Sequence, residues 1–362
     1  MIQSSFPSAH MSADDLHAYD FSNPMDLKSW GVEDPFLLEI VSTPAFQRLR
    51  SIRFLGGIDY VLVQNPNGVW GNTRYTRYQH SLGVARLSLM YSRACGLPDH
   101  DRRLIFAAAA LHDVGHAPLS HSLEPVFKEL FEIDHHEATK DIIRGRVSIG
   151  QSLSQTLRTY GIDADRVIAL ISGQDASYHG FFSGPINFDT IEGILRTRAY
   201  TRPSISPLAP ELVVAAAVNR SSAADRQTVD QFWLYKDQIY THVINSKAGV
   251  LADLACQVFM RQHLADIERE DYFSTEDAIF RKLPGLRNLL RSRNFDELVT
   301  RSVSGTIGVT IRRFFVDQNS DFFERDDKKR YLQTRRSAAL QVDLHEMKEV
   351  HEMGDLFGDR GD

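Results

Sequence analysis

Cysteine is almost missing from this chain: Cys95 and Cys256 are the only two in 362 residues. That excludes a disulfide framework and points to a reducing, cytoplasmic setting. Long apolar runs are missing as well. The longest, Leu104 to Leu111, has eight residues, against the roughly 20 needed to cross a bilayer, so no membrane partner is expected. The opening MIQSSFPSAHMSADDLHAYD has no basic stretch leading into an apolar one, and no secretory signal is read there. There is no excess of positive charge. Lys and Arg number 41 against 47 Asp and Glu, a net charge of −6, which disfavours nonspecific nucleic-acid binding as the main task. Repeats and low-complexity segments are also lacking. With 43% hydrophobic and 24% charged residues, the chain can bury enough apolar surface to fold, which excludes disorder as its main state.

Histidine is abundant in one place. His80, His100, His112, His116, His121, His135 and His136 fall within 57 residues, half of the 14 in the chain. Imidazole binds transition metals and moves protons near neutral pH.

The hydrophobic pattern is mostly α-helical. Residues 1–32 are polar and aperiodic and read as an arm. Phe36, Leu37, Ile40 and Val41 recur at helical spacing. Pro44 interrupts them, and Thr43 is placed to cap a second helix that ends at Gly56-Gly57. Tyr60–Val63 reads as a short strand and Asn65–Gly68 as a turn. Val84–Cys95 reads as a helix. After Gly96 and Pro98, Asp99 or Asp101 opens another, whose body LIFAAAAL is apolar all round and belongs in a core. Further helices are expected at Glu137–Arg144, Ser152–Thr159, Ala164–Ile171, Phe188–Tyr200, Pro210–Val218, Thr228–Asn245 and Lys247–Glu268. Thr306–Val316 is β-branched and aromatic, as a strand is, and Glu324–Arg330 reads as a solvated charge run. These elements imply a helical domain over 33–268 and a small mixed α/β appendage over 269–362.

The segment LHDVGHAPLSH, residues 111–121, carries the chemistry. His112 and Asp113 close the apolar helix side by side, and an imidazole beside a carboxylate suits a divalent cation. One more helical turn would bring His116 onto the face of His112. A buried hydrogen-bonded His-Asp pair is the alternative, since polar groups after a core helix need partners.

The pair has company at Arg77-Tyr-Gln-His80 upstream and Asn187-Phe-Asp189 downstream. Taken with TPAFQRLRSIRFLGG, TRYQHSLGVARL, LHDVGHAPLSHSLE and HHEATKDII, the chain resembles the HD phosphohydrolase superfamily. The likeness is to its deoxynucleoside triphosphate triphosphohydrolase branch, the dGTPase-like and SAM-HD-type enzymes. It covers residues 33–200, with a weaker echo at 272–283, and implies a helical HD core. It also implies metal ligation by His80, His112, Asp113 and Asp189, and one divalent ion for which Mn, Mg, Fe, Ni and Zn all remain open. By the same resemblance Arg77 contacts substrate phosphates, and His116 and His121 are active-site histidines. His136-Glu137 is a proton-passing pair, and Glu124 supports that histidine. His135 has no counterpart and reads as structural. The resemblance further implies a homo-oligomer, with contacts from the region after residue 200.

The same resemblance breaks at the nucleotide-reading positions. After Asp189 the branch has Lys-x-Asp-Tyr-x-x-Arg-Asp, where this chain has Thr190-Ile-Glu-Gly193-Ile-Leu-Arg196-Thr197. Arg196 is kept and is expected to contact substrate, but Thr190, Gly193 and Thr197 replace the lysine, tyrosine and aspartate. Phe54 stands where the branch has a sugar-binding glutamine. Loss of several polar contacts implies a changed or relaxed substrate. Tyr178–Phe182 could supply a stacking wall for a base or be a packed aromatic loop. Arg48, Arg50 and Arg53 could form a phosphate-binding face, a solvated helix face or a regulatory nucleotide site.

The expected activity is metal-assisted hydrolysis of a nucleotide, foremost a (deoxy)nucleoside triphosphate, with His116 or His136 protonating the leaving oxygen. A phosphomonoesterase or phosphodiesterase acting on another nucleotide or phosphorylated small molecule is a second reading, and a nucleotide-binding sensor with little turnover a third.

Overall fold

Asp34 opens the helical pattern, as its position suggests. In the computed structural model, which describes residues 34–60, 75–175, 177–182, 184–201, 208–220, 222–292, 295, 306–320 and 330–341, its carboxylate accepts from Phe36 N at 3.1 Å. This caps α1 (Pro35–Ser42), with Pro35 fixing φ in the first turn. Arg103 clasps the same carboxylate at 2.8 and 3.1 Å, tying the start of α1 to a helical residue 69 positions later. Thr43 precedes α2 (Pro44–Arg48) but does not cap it with its side chain. Its hydroxyl donates back to Ile40 O at 2.7 Å instead.

Helix α3 (Arg77–Ala94) begins before the expected Val84, because Thr76 and Gln79 form a capping box. The polar first turn that hid this start is buried, Arg77 and His80 included. Helix α4 (Asp99–Leu111) follows, with every side chain of Leu104–Leu111 fully buried. Next come α5 (Glu124–Phe131), α6 (His135–Ile143), α7 (Gln151–Thr159), α8 (Ala164–Ile171), α9 (Phe188–Thr201), α10 (Pro210–Asn219), α11 (Ala223–Ile239), α12 (Lys247–Arg261), α13 (Glu276–Lys282) and α14 (Pro284–Ser292). Helix α11 passes into a π-helical turn at Tyr240–Ile244, and α12 stops at Arg261, short of the expected Glu268. The chain is mostly α.

Tyr60 ends a 3₁₀ turn, Gly56–Tyr60, rather than starting a strand. The rest of that expected strand and the turn at 65–68 lie outside the described residues, as does the arm at 1–32. The strand at Thr306–Val316 (β1) pairs antiparallel with Tyr331–Gln341 (β2), Val316 opposite Tyr331. The hairpin packs on α11 through Trp233, whose ring lies 5.4 Å from Phe314 and 5.3 Å from Tyr331. Arg330, read as part of a solvated run, is buried and clasps Asp230 at 2.6 and 2.9 Å. The remainder of that run lies outside the described residues.

Three hydrophobic clusters fill the body. One joins α1, α2 and α3 to α4, α7 and α8, and another joins α3 and α9 to α10, α11 and the hairpin. The third places Tyr272, Ile279, Leu286 and Leu290 against Ala117, Leu119, Phe127 and α12, so residues past 268 support the 117–127 segment. Glu276 heads α13 with its side chain buried, accepting from Arg53 N at 2.6 Å and from Tyr60 Oη at 2.8 Å. Burial pushes its carboxyl from the ordinary 4.5 up to about 7. Between those pH values the folded chain holds a proton that the unfolded chain has released, so this group's contribution to stability declines as pH rises through that window. Glu276→Gln should flatten that stretch of the melting-temperature profile. An unchanged slope would contradict the assignment.

Candidate metal centre

Three helix ends meet at one point. The capping box of α3 puts His80 one turn into that helix, fully buried. The apolar face of α4 delivers His112 at its C-cap and Asp113 just beyond. Asn187 Oδ1 accepts from Thr190 N at 2.7 Å, closing the first turn of α9 and holding Asp189 there. His80 Nε2 lies 3.1 Å from both His112 Nε2 and Asp189 Oδ1. His112 Nε2 is 3.7 Å from Asp189 Oδ1. Asp113 brings Oδ2 within 3.5 Å of His80 Nε2 and Oδ1 within 3.5 Å of His112 Nε2.

The far sides of the two rings decide what this point can hold. His80 Nδ1 faces Glu192 Oε2 at 2.5 Å and His112 Nδ1 faces the Ala109 carbonyl at 2.8 Å. Both acceptors place the ring proton on Nδ1, leaving both Nε2 lone pairs aimed inward. With both rings neutral, two imidazole lone pairs and two carboxylates converge, so the donor set fits a divalent cation. Burial pulls the His80 imidazole down, but Glu192, Asp189 and Asp113 outweigh it and raise it to about 9, so a cation bound here would displace a proton from its Nε2. Burial would likewise raise Asp113 and Asp189. Arg77 and the neighbouring histidines hold Asp113 well below the carboxylate range, and His112 and His80 do the same for Asp189.

Glu192, one turn after Asp189, was missed in the sequence because a Glu in a helix reads as surface. Its signal is the 189/192/196 spacing on α9. Arg196 donates to it through Nε at 2.6 Å and again through Nη2, which also reaches the Gln79 carbonyl at 3.2 Å. Arg196 is therefore corrected from substrate contact to support. It is 1% exposed, its guanidinium fully engaged behind His80. Arg48 is corrected in the same way, from phosphate face to buried clamp. Its Nη2 holds the carbonyls of Val114 and His116 at 2.9 and 2.7 Å, fixing the turn after Asp113. Arg50 and Arg53 line a separate cleft of about 510 Å³ with Arg287 and Arg291.

Arg77 sits against the centre, donating through Nη1 to Asp113 Oδ2 at 2.6 Å and through Nε to Ser120 Oγ at 3.0 Å. Phe54 covers His80, ring centres 4.4 Å apart. A Cβ on Gly193 would come 3.1 Å from the Phe54 ring, so the missing tyrosine and the gained phenylalanine share one space. Thr197 is buried, and its hydroxyl donates to Gly193 O at 2.7 Å within the helix. The structure thus gives Thr197 no open polar group for a ligand. Gly193→Tyr alone should overpack against Phe54, costing about 1–3 kcal/mol, and Gly193→Tyr with Phe54→Ala should recover most of that stability in thermal melts.

The histidines past Asp113 are arranged differently from expectation. The helix ends at Leu111, so His116 reaches the site through a turn, its Nε2 3.1 Å from Asp113 Oδ1 and the residue 1% exposed. Glu124 supports His135, not His136, meeting Nδ1 at 2.7 Å and the backbone N at 3.1 Å. Glu137 points outward to Lys140 at 2.7 Å, so it does not orient His136. His135 and His136 both line a cavity of about 110 Å³ with His112, Asp113, Asp189 and Phe182, whereas His116 and His121 do not. Phe181 is stacked on Phe188 at 4.6 Å, and this part of the aromatic loop is packing. Lys236 on α11 was not anticipated. It is buried against Trp233 and Phe314 at 4.5 and 4.7 Å. Burial lowers it to about 8 while Asp189 pulls the other way, placing a cation near the centre.

Residues 77–156 match the HD domain family. That segment is an HD domain. The matched stretch begins at α3, where His80 sits, and includes the His112-Asp113 pair, whereas Asp189 and Glu192 lie beyond it. The chain is 28% identical to the protein YwfO of Bacillus subtilis over 235 residues, 61% of this chain and 51% of that protein. It is 24% identical to the deoxynucleoside triphosphate triphosphohydrolase SAMHD1 of Gallus gallus over 267 residues, 68% of this chain and 40% of that protein. With the human SAMHD1 it shares 29% identity over 150 residues, 39% of this chain and 23% of that protein. The match thus spans about half or less of each of these relatives.

Proposed function

We propose that this protein is a metal-dependent phosphohydrolase of nucleotides, most closely a (deoxy)nucleoside triphosphate triphosphohydrolase. One observation carries the reading: two Nε2 lone pairs and two carboxylates converge on a point beside an open cavity, each ring locked by its own far-side acceptor. The likeness to SAMHD1 supports the nucleotide class. His80, His112, Asp113 and Asp189 would hold one divalent cation, which when bound lowers the pKa of a water ligand and polarises phosphoryl oxygens.

The chain's own groups do the rest. Arg77 fixes Asp113 and supplies positive charge where the transferring group gains negative charge. His136 lines the cavity, and burial with His135 beside it lowers its imidazole, leaving a neutral ring that can take and return a proton. His116 is enclosed and bonded to Asp113, so His136 is the better proton carrier. Thr190 in place of the branch's lysine removes a charge beside Asp189, which favours substrates with fewer phosphates as the second reading.

Hydrolysis of a nucleotide panel before and after chelation tests the metal dependence. Activity should vanish on metal removal and return with Mn²⁺. Turnover that survives complete removal would overturn the reading.

A further inference from the structure

A buried carboxylate on α13, outside the metal centre, is wired to it. Glu276 accepts from Arg53 N at 2.6 Å. That N–H belongs to the same peptide unit as Ile52 O, which accepts from Arg77 N at 2.8 Å. Arg77 is the first residue of α3, where a helix leaves backbone donors without an internal partner, so this bond fixes where the helix starts. A second branch leaves from the other side of Arg53. Its carbonyl accepts from Ser120 Oγ at 2.7 Å, and Ser120 Oγ in turn accepts from Arg77 Nε at 3.0 Å. Both branches end on Arg77, which grips Asp113 at 2.6 Å. We propose that Glu276 is a positioning residue for Arg77, acting through the Ile52–Arg53 peptide and Ser120 without itself reaching the metal centre.

The connecting residues are held for this task. Ser120 is fully buried and takes a left-handed φ of 48°, a conformation that non-glycine residues rarely adopt. That turn sets its hydroxyl between the Arg53 carbonyl and the Arg77 guanidinium. Residues 52–54 also pair with 75–77 along the backbone, since Phe54 N donates to Tyr75 O at 3.2 Å. A shift of the Arg53 backbone is therefore passed to the start of α3. On its far side Glu276 is anchored by Tyr60, whose Oη donates to Oε2 at 2.8 Å.

The strength of the relay depends on the charge of Glu276. An ionised acceptor binds an N–H more strongly than a neutral one does, and bonds that share a peptide unit polarise one another. The carboxylate therefore tightens the Ile52–Arg53 peptide on Arg77, and the neutral acid relaxes it. Burial lifts this carboxyl to about 7, so both forms are present near neutral pH. Arg53, Asp59 and Tyr60 face it from the 52–60 segment and Cys256 from α12, while Arg50, Asp277, Arg287 and Arg291 line the adjoining cleft. Burial raises the Tyr60 phenol and the Cys256 thiol, which keeps both protonated as Glu276 titrates. The inference rests on the proposed role of Arg77 in phosphate hydrolysis.

Glu276→Gln tests the relay, because it keeps an acceptor for Arg53 N and a donor for Tyr60 and removes only the charge. In the full chain loaded with diamagnetic Mg²⁺, the Arg77 Nε–H resonance is assigned by its loss in Arg77→Lys. It should shift with pH around an inflection near 7 in the wild type, and that inflection should be absent in Glu276→Gln. With Mn²⁺-loaded protein, the ratio of wild-type to variant kcat/KM should rise through the same inflection. The expected rise is roughly three- to tenfold, a fraction of the hundredfold that a 1 Å misplacement costs. Taking the ratio cancels titrations that the two proteins share. A flat ratio in a wild type that hydrolyses nucleotides would overturn the relay and leave the proposed activity standing. A wild type with no nucleotide turnover would remove that activity, and the resonance then decides alone, identical profiles in both proteins overturning the relay. If Glu276→Gln does not fold, Tyr60→Phe takes its place. Losing that donor to the carboxylate should move the inflection upward, and an unmoved inflection overturns the proposal.

Discussion

Asp113→Asn should cut nucleotide hydrolysis by roughly a thousandfold, about 4 kcal/mol of transition-state stabilisation, and strip metal from the protein. The carboxylate serves four neighbours at once: it faces the inward nitrogens of His80 and His112, accepts from Arg77 at 2.6 Å, and meets His116 at 3.1 Å. Asparagine keeps the shape and one acceptor oxygen but removes the charge that a cation needs. Alanine is the less informative change. It would leave the buried Arg77 guanidinium without its ion partner, a loss on the order of 3–5 kcal/mol, and so mix catalysis with stability. Turnover, bound metal and melting temperature measured together separate the two effects. A variant with full activity and a full metal content would show that the centre lies elsewhere.

Gly83→Ala should have the second largest effect, from a residue that touches no ligand. A Cβ at this position of α3 would collide with the Glu192 carboxylate, which is pinned between His80 and Arg196. Either the helices part or Glu192 lets go of His80. The first route costs about 1–3 kcal/mol of overpacking. The second frees the His80 tautomer, and losing such an orienting partner lowers metal affinity about 10–100-fold. Glu192→Gln should reproduce the affinity loss without the packing cost. If Gly83→Ala melts and binds metal like the wild type, Glu192 is not the group that sets the His80 ring.

The helical architecture and the approach of the metal-facing residues were legible in the sequence because they rest on local signals. LIFAAAAL is apolar on every side and had to be core, and His112-Asp113 follows it directly. The supporting residues were not legible, for a physical reason. Glu192, Arg196 and Arg48 are charged residues in helices, which read as surface, yet all three are buried: Glu192 and Arg196 pair with each other behind His80, and Arg48 donates to backbone carbonyls 66 and 68 residues away. The start of α3 was hidden in the same way, since Arg77 and His80 look like loop residues until the centre that buries them is in place. The pairing of Glu124 with His135 rather than His136 turns on which of two adjacent side chains α6 directs inward, and spacing alone cannot tell them apart. The exchange of bulk between Phe54 and Gly193, 139 positions apart, becomes visible only when both lie against His80. In sequence it reads as two lost polar contacts, while in space it is one ring replacing another.

The most direct test of the central claim is product analysis. Mn²⁺-loaded protein is incubated with dNTPs, NTPs and mono-, di- and cyclic nucleotides, and the products are resolved chromatographically. The account predicts hydrolysis, with nucleoside and intact triphosphate released from at least one nucleoside triphosphate. Orthophosphate released from shorter phosphates would move the substrate to the second reading. No turnover of any nucleotide by fully metal-loaded protein would contradict the account.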